Sequence, residues 1–519
     1  MTNKKQFFKS GAMLAAVALA MRGVSLLFNS YITDKVGAEG MGLLSLTMSV
    51  YAFAVTFATS GVSLAVTRLV AAALGRGEGE RAKRVLRAAV IYALFFGGVA
   101  SVALYLGADL FAVKALGDVR TRSSLRLLSV SLVPIALSAV YSGYFVATRR
   151  VGHNAVTQVF EQTVRIFLTL FGLSLCKEGE VEAACLALVG GSSIAEFFSF
   201  FLLYAQAIVD RRRHKLEGGF TGGEGRAVVG FALPCAASAY ARSGLVTLEH
   251  LLIPVCLGWG GLARGDALAS YAALHSMALP VLLFPTAILS SFSGLLVPEC
   301  AELDGRGEKA RLGHIASRAV GGTLIFAVAS ALLLFLGAED LGILLYGNGS
   351  VGRYIRALAP LVPIMYLDSV VDAHLKGLGL QVYSMGVNIA DAALSVVAVL
   401  ILLPLFGADG YVLVIYLTEL MNFALSLGKL RKTVRFHLSP RTLLSPILSA
   451  LFALLVCTLL LPPHASLSSL LCRFAVGFSL FLLALLFLRG EGASPKKAEN
   501  IAQKRGRKEK VLPFSCRNP

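Results

Sequence analysis

GAMLAAVALAMRGVSLLFNSYI, residues 11–32, is an apolar stretch broken near its middle by one arginine, Arg22. A bilayer core of about 30 Å is crossed by roughly 20 such residues in a helix. The stretch is therefore long enough to span a membrane, and its one charge needs a reason to be there. Lys4, Lys5 and Lys9 ahead of it imitate a secretory signal. Arg22 interrupts that pattern and many similar runs follow, so the segment reads as a retained first span.

Runs of the same kind recur near 40–62, 85–106, 123–146, 154–175, 183–208, 227–248, 266–296, 313–337, 355–377, 382–404, 408–428, 442–462 and 466–488. They predict an all-α polytopic membrane protein of about fourteen transmembrane helices, with a possible break in 251–298 around Pro280 and Pro285. Composition agrees. Of 519 residues 56% are hydrophobic and 15% charged, and the mean hydropathy is +0.74, whereas a soluble domain carries about 25% charged residues. The eight cysteines are scattered without a C-x-x-C pair or a histidine cluster, so neither a disulfide framework nor a metal site is expected. No phosphate-binding loop and no Ser-His-Asp context on a soluble domain occurs, which argues against an enzyme and against a cofactor. With no ATP-hydrolysing domain, any active transport has to draw on an ion gradient or the membrane potential.

Lysine and arginine in short loops mark the cytoplasmic side. They gather after the second span (Arg76, Arg81, Lys83, Arg84), the fourth (Arg149, Arg150), the sixth (Arg211, Arg212, Arg213, Lys215), the eighth (Arg306, Lys309, Arg311) and the twelfth (Lys429, Arg431, Lys432, Arg435). The loops Lys177–Glu182 and Phe406–Asp409 are poor in positive charge. Both termini are accordingly expected in the cytoplasm. Lys114, Arg120 and Arg122 dissent, since they fall on the outer side. This bias and the tail Lys496–Lys510 account for most of the formal charge of +18. The tail reads as a cytoplasmic end drawn to anionic membrane lipids, at about 1 kcal/mol per basic residue, rather than as a nucleic-acid site.

The first half echoes in the second. A-M-R-G-V around Arg22 matches A-R-S-G-L around Arg242, Gly75-Arg76-Gly77-Glu78 recurs as Gly305-Arg306-Gly307-Glu308, and Glu161 corresponds to Asp391. The offsets are about 220–230 residues and contain an even number of spans, which implies a parallel repeat about an axis along the membrane normal. The expected organisation is a six-helix lobe over 1–210, a second over 211–432, two additional helices over 433–488 and a basic tail over 489–519.

Ionisable groups at bilayer depth cost about 2.5–3.5 kcal/mol each on insertion scales and usually face a cavity or a partner. The candidates are Arg22 and Asn29 in the first span, Glu161, Gln162 and Arg165 in the fifth, Glu196 in the sixth, and Arg242 and Glu249 in the seventh. Asp368 and Asp372 follow in the tenth, Asn388 and Asp391 in the eleventh, and Glu419 and Asn422 in the twelfth. Glu161 and Arg165, four apart, can pair with each other. Asp368 and Asp372 share the spacing but carry like charge, which makes one a candidate proton or sodium carrier, unless Asp372 reaches water together with Lys376. Arg22 and Arg242 open their respective lobes. Two arginines across a cleft suit an anionic pyrophosphate, the alternative being that each pairs with a carboxylate of its own lobe, such as Arg242 with Glu249. His275 reads as an interhelical group rather than a ligand.

Several stretches resemble a known family: GAMLAAVALAMRG at the start, GVSLAVTRLVAA over 61–72, QVFEQTVR over 158–165, ALPVLLFPTAI over 278–288 with LVPE at 296–299, and APLVPIMYLDSVVDAHLKGLG over 359–379. They are similar to the polysaccharide-transporter, stage V sporulation protein B-like branch of the multidrug/oligosaccharidyl-lipid/polysaccharide (MOP) flippase superfamily, which is related to the lipid II flippases. The likeness runs from about residue 8 to 488. It implies two lobes in a V, and alternating access that carries an undecaprenyl-pyrophosphate-linked sugar from the inner to the outer leaflet of a bacterial plasma membrane. It also implies a pyrophosphate-binding role for Arg22 and, through the repeat, for Arg242. Where lipid II flippases carry a second Arg-Asp pair this chain has Phe28-Asn29, which leaves the cargo open. A cation-coupled multidrug exporter and a non-transporting scaffold for envelope-synthesis enzymes are the competing functions.

Overall fold

The structure, a computed structural model, describes residues 4–59, 61–148, 150, 152–176, 181–213, 224–461 and 466–490. Arg149, Lys177, Lys215 and the basic tail from residue 491 onward lie outside the described residues, and with them the charges assigned to those positions. The chain is almost wholly helical, and the described residues contain no strand.

The opening helix α1 (Lys4–Thr59) is broken at Gly37, whose φ of 76° and ψ of 171° are not helical. A residue without a Cβ adopts that conformation at little cost, so the first two apolar runs become two legs of one element. Gly61, also left-handed, joins it to α2 (Val62–Gly75). Then come α3 (Gly79–Leu110), extended by a π-helical turn Phe111–Ala115, α4 (Thr121–Ala147), α5 (Gly152–Leu175) and α6 (Val181–Arg213). The second half begins with α7 (Glu224–Trp259). The next crossing is broken: α8 (Arg264–Tyr271), a π-helical segment Ala272–Ala278, α9 (Leu279–Leu283) and, after a turn at Phe284-Pro285, α10 (Thr286–Gly305). The expected break around Pro280 and Pro285 is there, because a prolyl nitrogen cannot donate to the preceding turn. Next are α11 (Lys309–Leu336), α12 (Ala338–Tyr346), α13 (Gly349–Leu358), a 3-10 turn Ala359–Leu361, α14 (Val362–Gly377), α15 (Gln381–Phe406), α16 (Ala408–Thr433), α17 (Pro440–Leu460) and α18 (Leu467–Gly490).

Each of the fourteen apolar runs falls on helix. Eleven described segments, however, are long and apolar enough to count as membrane spans by length and composition. Two causes account for the difference. Ala18–Gly75 is one segment holding two runs, and α5 and α7 are not among the eleven. Those two helices carry Glu161 and Arg165, and Arg242 and Glu249. Residues 338–354, unassigned by the apolar pattern, form α12 and part of α13.

The main helix contacts are α3 on α4, α5 on α6, α4 on α6, α15 on α7 and α16, and α14 on α10, α11 and α16. Small residues permit the closest approaches. A Cβ on Gly143 would lie 2.5 Å from the Ser63 carbonyl oxygen, and one on Gly377 would lie 2.8 Å from that of Val297. The first half meets the second chiefly through α1, which packs on α7, α8, the π-helical segment and α10. The pair α17–α18 docks on α11. Its outward side chains Leu444, Leu448, Leu451, Leu455 and Leu459 are exposed at helical spacing, the pattern of a lipid-facing stripe.

The two Gly-Arg-Gly-Glu turns are near copies. Arg76 and Arg306 have φ of −92° and −87°, Gly77 and Gly307 have φ of 75° and 70°, and Glu78 and Glu308 have φ/ψ of −87°/65° and −78°/59°. Each glutamate then pairs with an arginine three residues on, Arg81 at 3.2 Å and Arg311 at 3.1 Å. At the other end of the bundle the dissenting arginines turn out to be neutralised. Arg120 bridges Asp118 at 2.7 Å and Glu39 at 3.1 Å, and Arg122 pairs with Asp109. Burial raises the Asp118 carboxyl, and the hydrogen bonds from Arg120 more than reverse this, so that it titrates below its ordinary value.

Candidate functional site

The first leg of α1 is the seam between the halves, and three of its polar residues, Arg22, Asn29 and Ser30, find partners in the second half. Ser25 accepts from Gln162 of α5 at 3.3 Å. Asn29 donates to the Ser276 carbonyl at 2.6 Å, and the Ser30 hydroxyl to that of Leu345. Arg22, half-buried, donates from Nη1 to the Thr286 hydroxyl of α10 at 2.5 Å and lies in electrostatic reach of Tyr366 on α14. Among the described residues no carboxylate lies within ion-pair distance of it.

Arg242, on α7, is exposed and interacts electrostatically with Asp391 on α15. Glu249 instead takes hydrogen bonds from Tyr411 at 3.5 Å and from Ser395. The two arginines thus occupy different settings and share no partner. Two other arginines inside the spans, Arg165 and Arg473, behave differently. Arg165 is held by Glu161 at 2.6 Å and Glu196 at 3.5 Å, with Ser199 donating to Glu161 at 2.9 Å. Arg473 is held by Asp340 at 2.8 Å. Among the described residues, neither Arg22 nor Arg242 has a carboxylate at ion-pair distance, although Arg242 feels the charge of Asp391.

A second group of candidates converges in the C-terminal half. Asp368 and Asp372 on α14, Asp391 on α15, Glu419 on α16 and Glu249 on α7 interact electrostatically in a chain. Lys376 pairs with Asp372 at 2.6 Å, and the Ser384 hydroxyl donates to the same carboxylate. Asp372 therefore already has its partners. Asp368 and Asp391 each keep one buried carboxylate oxygen without a hydrogen bond. Asn422 contacts Asp391, and Asn388 is occupied by the Ser384 carbonyl at 2.8 Å. No set of three or more His, Cys, Asp or Glu side chains among the described residues is close enough to hold a metal ion.

One polar cluster escapes sequence reasoning. At the α1–α7–α8 contact Ser49 hydrogen-bonds the His250 ring, Ser45 hydrogen-bonds Ser276, and Thr247 donates to the Ser49 carbonyl at 3.1 Å. His250 and His275 stand edge to face at 4.3 Å, and Tyr271 stacks on His275 at 5.2 Å. The only hint in the sequence is the spacing of Ser45 and Ser49 on one helix face, which says nothing about a partner two hundred residues away.

A polytopic helical bundle with charged groups held at the seam of its two halves is a membrane transporter. Residues 7–292 match the model of the family described as polysaccharide biosynthesis protein, and the chain belongs to that family, in the stage V sporulation protein B-like branch of the MOP flippase superfamily. It is 26% identical to stage V sporulation protein B of Bacillus subtilis (strain 168), over 73% of this chain and 74% of the relative. To the lipid II flippase MurJ of the same organism it is 22% identical, over 81% and 82%. Its fold is that of a solved lipid II flippase MurJ in an inward closed conformation, with a TM-score of 0.72, 14% identity, and 92% and 99% of the two chains covered. The chain is accordingly a multi-pass protein of a bacterial plasma membrane, and a transporter rather than an enzyme.

Proposed function

We propose that the protein flips a lipid-linked precursor, an undecaprenyl-pyrophosphate-linked oligosaccharide or peptidoglycan precursor, from the cytoplasmic to the outer leaflet by alternating access, in cell-wall or spore-cortex synthesis. The observation that carries this reading is Arg22: a guanidinium at the seam between the halves, anchored by one hydroxyl and by no carboxylate. A pyrophosphate brings acceptor oxygens that match such a fork. Arg242, likewise without a carboxylate at ion-pair distance, supplies the corresponding charge from the second lobe. The lobes are 1–210 and 211–432, and both termini face the cytoplasm, where the copied Gly-Arg-Gly-Glu turns lie. The direct test is reconstitution into liposomes with a fluorescent undecaprenyl-pyrophosphate-linked sugar. Movement to the opposite leaflet that disappears with Arg22→Ala supports the reading, and efflux of cationic dyes without lipid movement overturns it in favour of the exporter.

The acidic chain Asp368–Asp391–Glu419–Glu249 supports coupling to an inward flow of protons or sodium ions. Carboxylates that interact with one another and lack full hydrogen bonding bind a cation at lower cost than they stay apart in low dielectric. Replacing Asp368 and Asp372 together by Asn is expected to remove the dependence of transport on the ion gradient while leaving gradient-independent exchange in place. Unchanged coupling, read as flipping with and without an ionophore, would relegate the pair to structure.

A scaffold for envelope-synthesis enzymes would dock through the basic tail. Deleting residues 490–519 is expected to leave at least half of the wild-type rescue of a flippase-deficient strain, whereas a scaffold loses it.

A further inference from the structure

At the end of the bundle opposite the Gly-Arg-Gly-Glu turns, α18 meets α12 through an ion pair that the transport reading does not use. Arg473 and Asp340, 4% and 1% exposed, are 2.8 Å apart. On the preceding residue of α12, Glu339 pairs with Arg356 of α13 at 2.7 Å, and Arg356 lies over the Phe335 ring at 5.7 Å. Between them is a pocket of about 260 Å³, lined by both arginines, Glu339, Thr458 and apolar side chains of α11 and α17. That is just below the roughly 300 Å³ at which pockets for whole drug-sized ligands begin, and it suits a head group.

The chemistry of the lining is one-sided. Both carboxylates are engaged by arginine, and the Thr458 hydroxyl donates to the Leu455 carbonyl at 3.0 Å. The Nε atoms of Arg356 and of Arg473 are buried without any acceptor. A donor left unpaired in a buried site costs about 1–3 kcal/mol, and a ligand oxygen in the pocket relieves that cost at each guanidinium that turns its Nε–H toward it. The position fits a lipid. Arg473 lies six residues into α18, about 9 Å at 1.5 Å per residue, and Thr458 lies within one turn of the end of α17. The pocket is therefore at the depth of a membrane interface, beside the exposed leucine stripe of α17.

We infer that this pocket binds the phosphodiester of a membrane lipid, clamped between Arg356 and Arg473, and so ties the α17–α18 pair to the second half of the bundle through lipid. The site is independent of the pyrophosphate reading of Arg22 and stands or falls without it.

The test is thermal unfolding of the delipidated full-length protein in detergent, titrated with phosphatidylglycerol, with native mass spectrometry to count retained lipid. The expected result is a saturable rise in Tm with one retained lipid. Arg356→Gln should weaken it about tenfold, the loss of one charge-assisted contact of about 1.4 kcal/mol. Arg473→Lys keeps the charge opposite Asp340 but removes the Nε donor, and should weaken it similarly. The double change Asp340→Leu with Arg473→Leu removes the buried pair without orphaning either charge and should fold yet show no saturable rise. Equal titrations in wild type and Arg356→Gln would overturn the inference. So would the same saturation with inorganic phosphate alone, which would assign the pocket to a soluble anion.

Discussion

Arg22→Ala is expected to abolish rescue of a flippase-deficient strain while the amount of protein in the membrane stays at the wild-type level. The two halves of this expectation have separate physical grounds. Arg22 contributes one hydrogen bond to the fold, to the Thr286 hydroxyl, and one such bond is worth about 1 kcal/mol net. The bundle tolerates that. Toward a pyrophosphate the same guanidinium offers charge-assisted bonds of about 1.5–3 kcal/mol each, so losing two of them lowers affinity by roughly two to four orders of magnitude. Arg22→Lys keeps the charge but not the planar fork and should rescue partly. Growth as fast as wild type with Arg22 and Arg242 both replaced by alanine, scored by complementation alongside immunoblotting, would sink pyrophosphate binding at these positions.

Gly42→Val should disfavour the arrangement described here by several kcal/mol. Gly42 lies where α1 crosses α8, and a Cβ there would come within 2.3 Å of the Leu268 carbonyl oxygen and 2.8 Å of its carbonyl carbon. That is backbone against backbone, with no flexible side chain to give way, so the helices separate. The Ser45–Ser276 and Ser49–His250 bonds lie on the next turns of the same contact and would go with it. Cysteines placed at Ser45 and Ser276 report the outcome: they should cross-link readily in the parent protein and at least tenfold more slowly with Gly42→Val. Equal cross-linking rates would mean that the halves do not part at this seam.

Much of the architecture was legible because it is written in local pattern. Apolar runs of membrane length are a property of contiguous sequence, and each lies on helix. The glycines of the Gly-Arg-Gly-Glu loops likewise carry their own backbone requirement, which is why two turns 230 residues apart have nearly the same dihedrals. The Glu161–Arg165 pair was readable from its spacing, although Glu196 joining it from α6 was not. What stayed hidden depends on which distant helices touch. His275 looks unremarkable alone, and its place between His250 and Tyr271 follows from the α7–α8 contact. Asp340 sits just past an apolar run and Arg473 well inside another, so nothing in either neighbourhood announces a bond across 133 residues. The alternative partner for Arg242, Glu249 on its own helix, is hidden from the sequence for the same reason: Tyr411 and Ser395, on α16 and α15, hydrogen-bond the glutamate instead.

The non-helical joint at Gly37 separates the leg of α1 that carries Arg22 from the leg that continues into α2. At about 1.5 Å per residue the guanidinium-bearing residue stands roughly 22 Å along the helix from that joint. A rotation of roughly 10° at the one glycine therefore displaces it by about 4 Å, more than the length of any hydrogen bond it makes. The leg is a lever with its fulcrum near one end of the bundle. A small change of the two Gly37 dihedrals would thus be read out as a large displacement at Arg22, and it would act on the bonds from Arg22, Asn29 and Ser30 to the second half together.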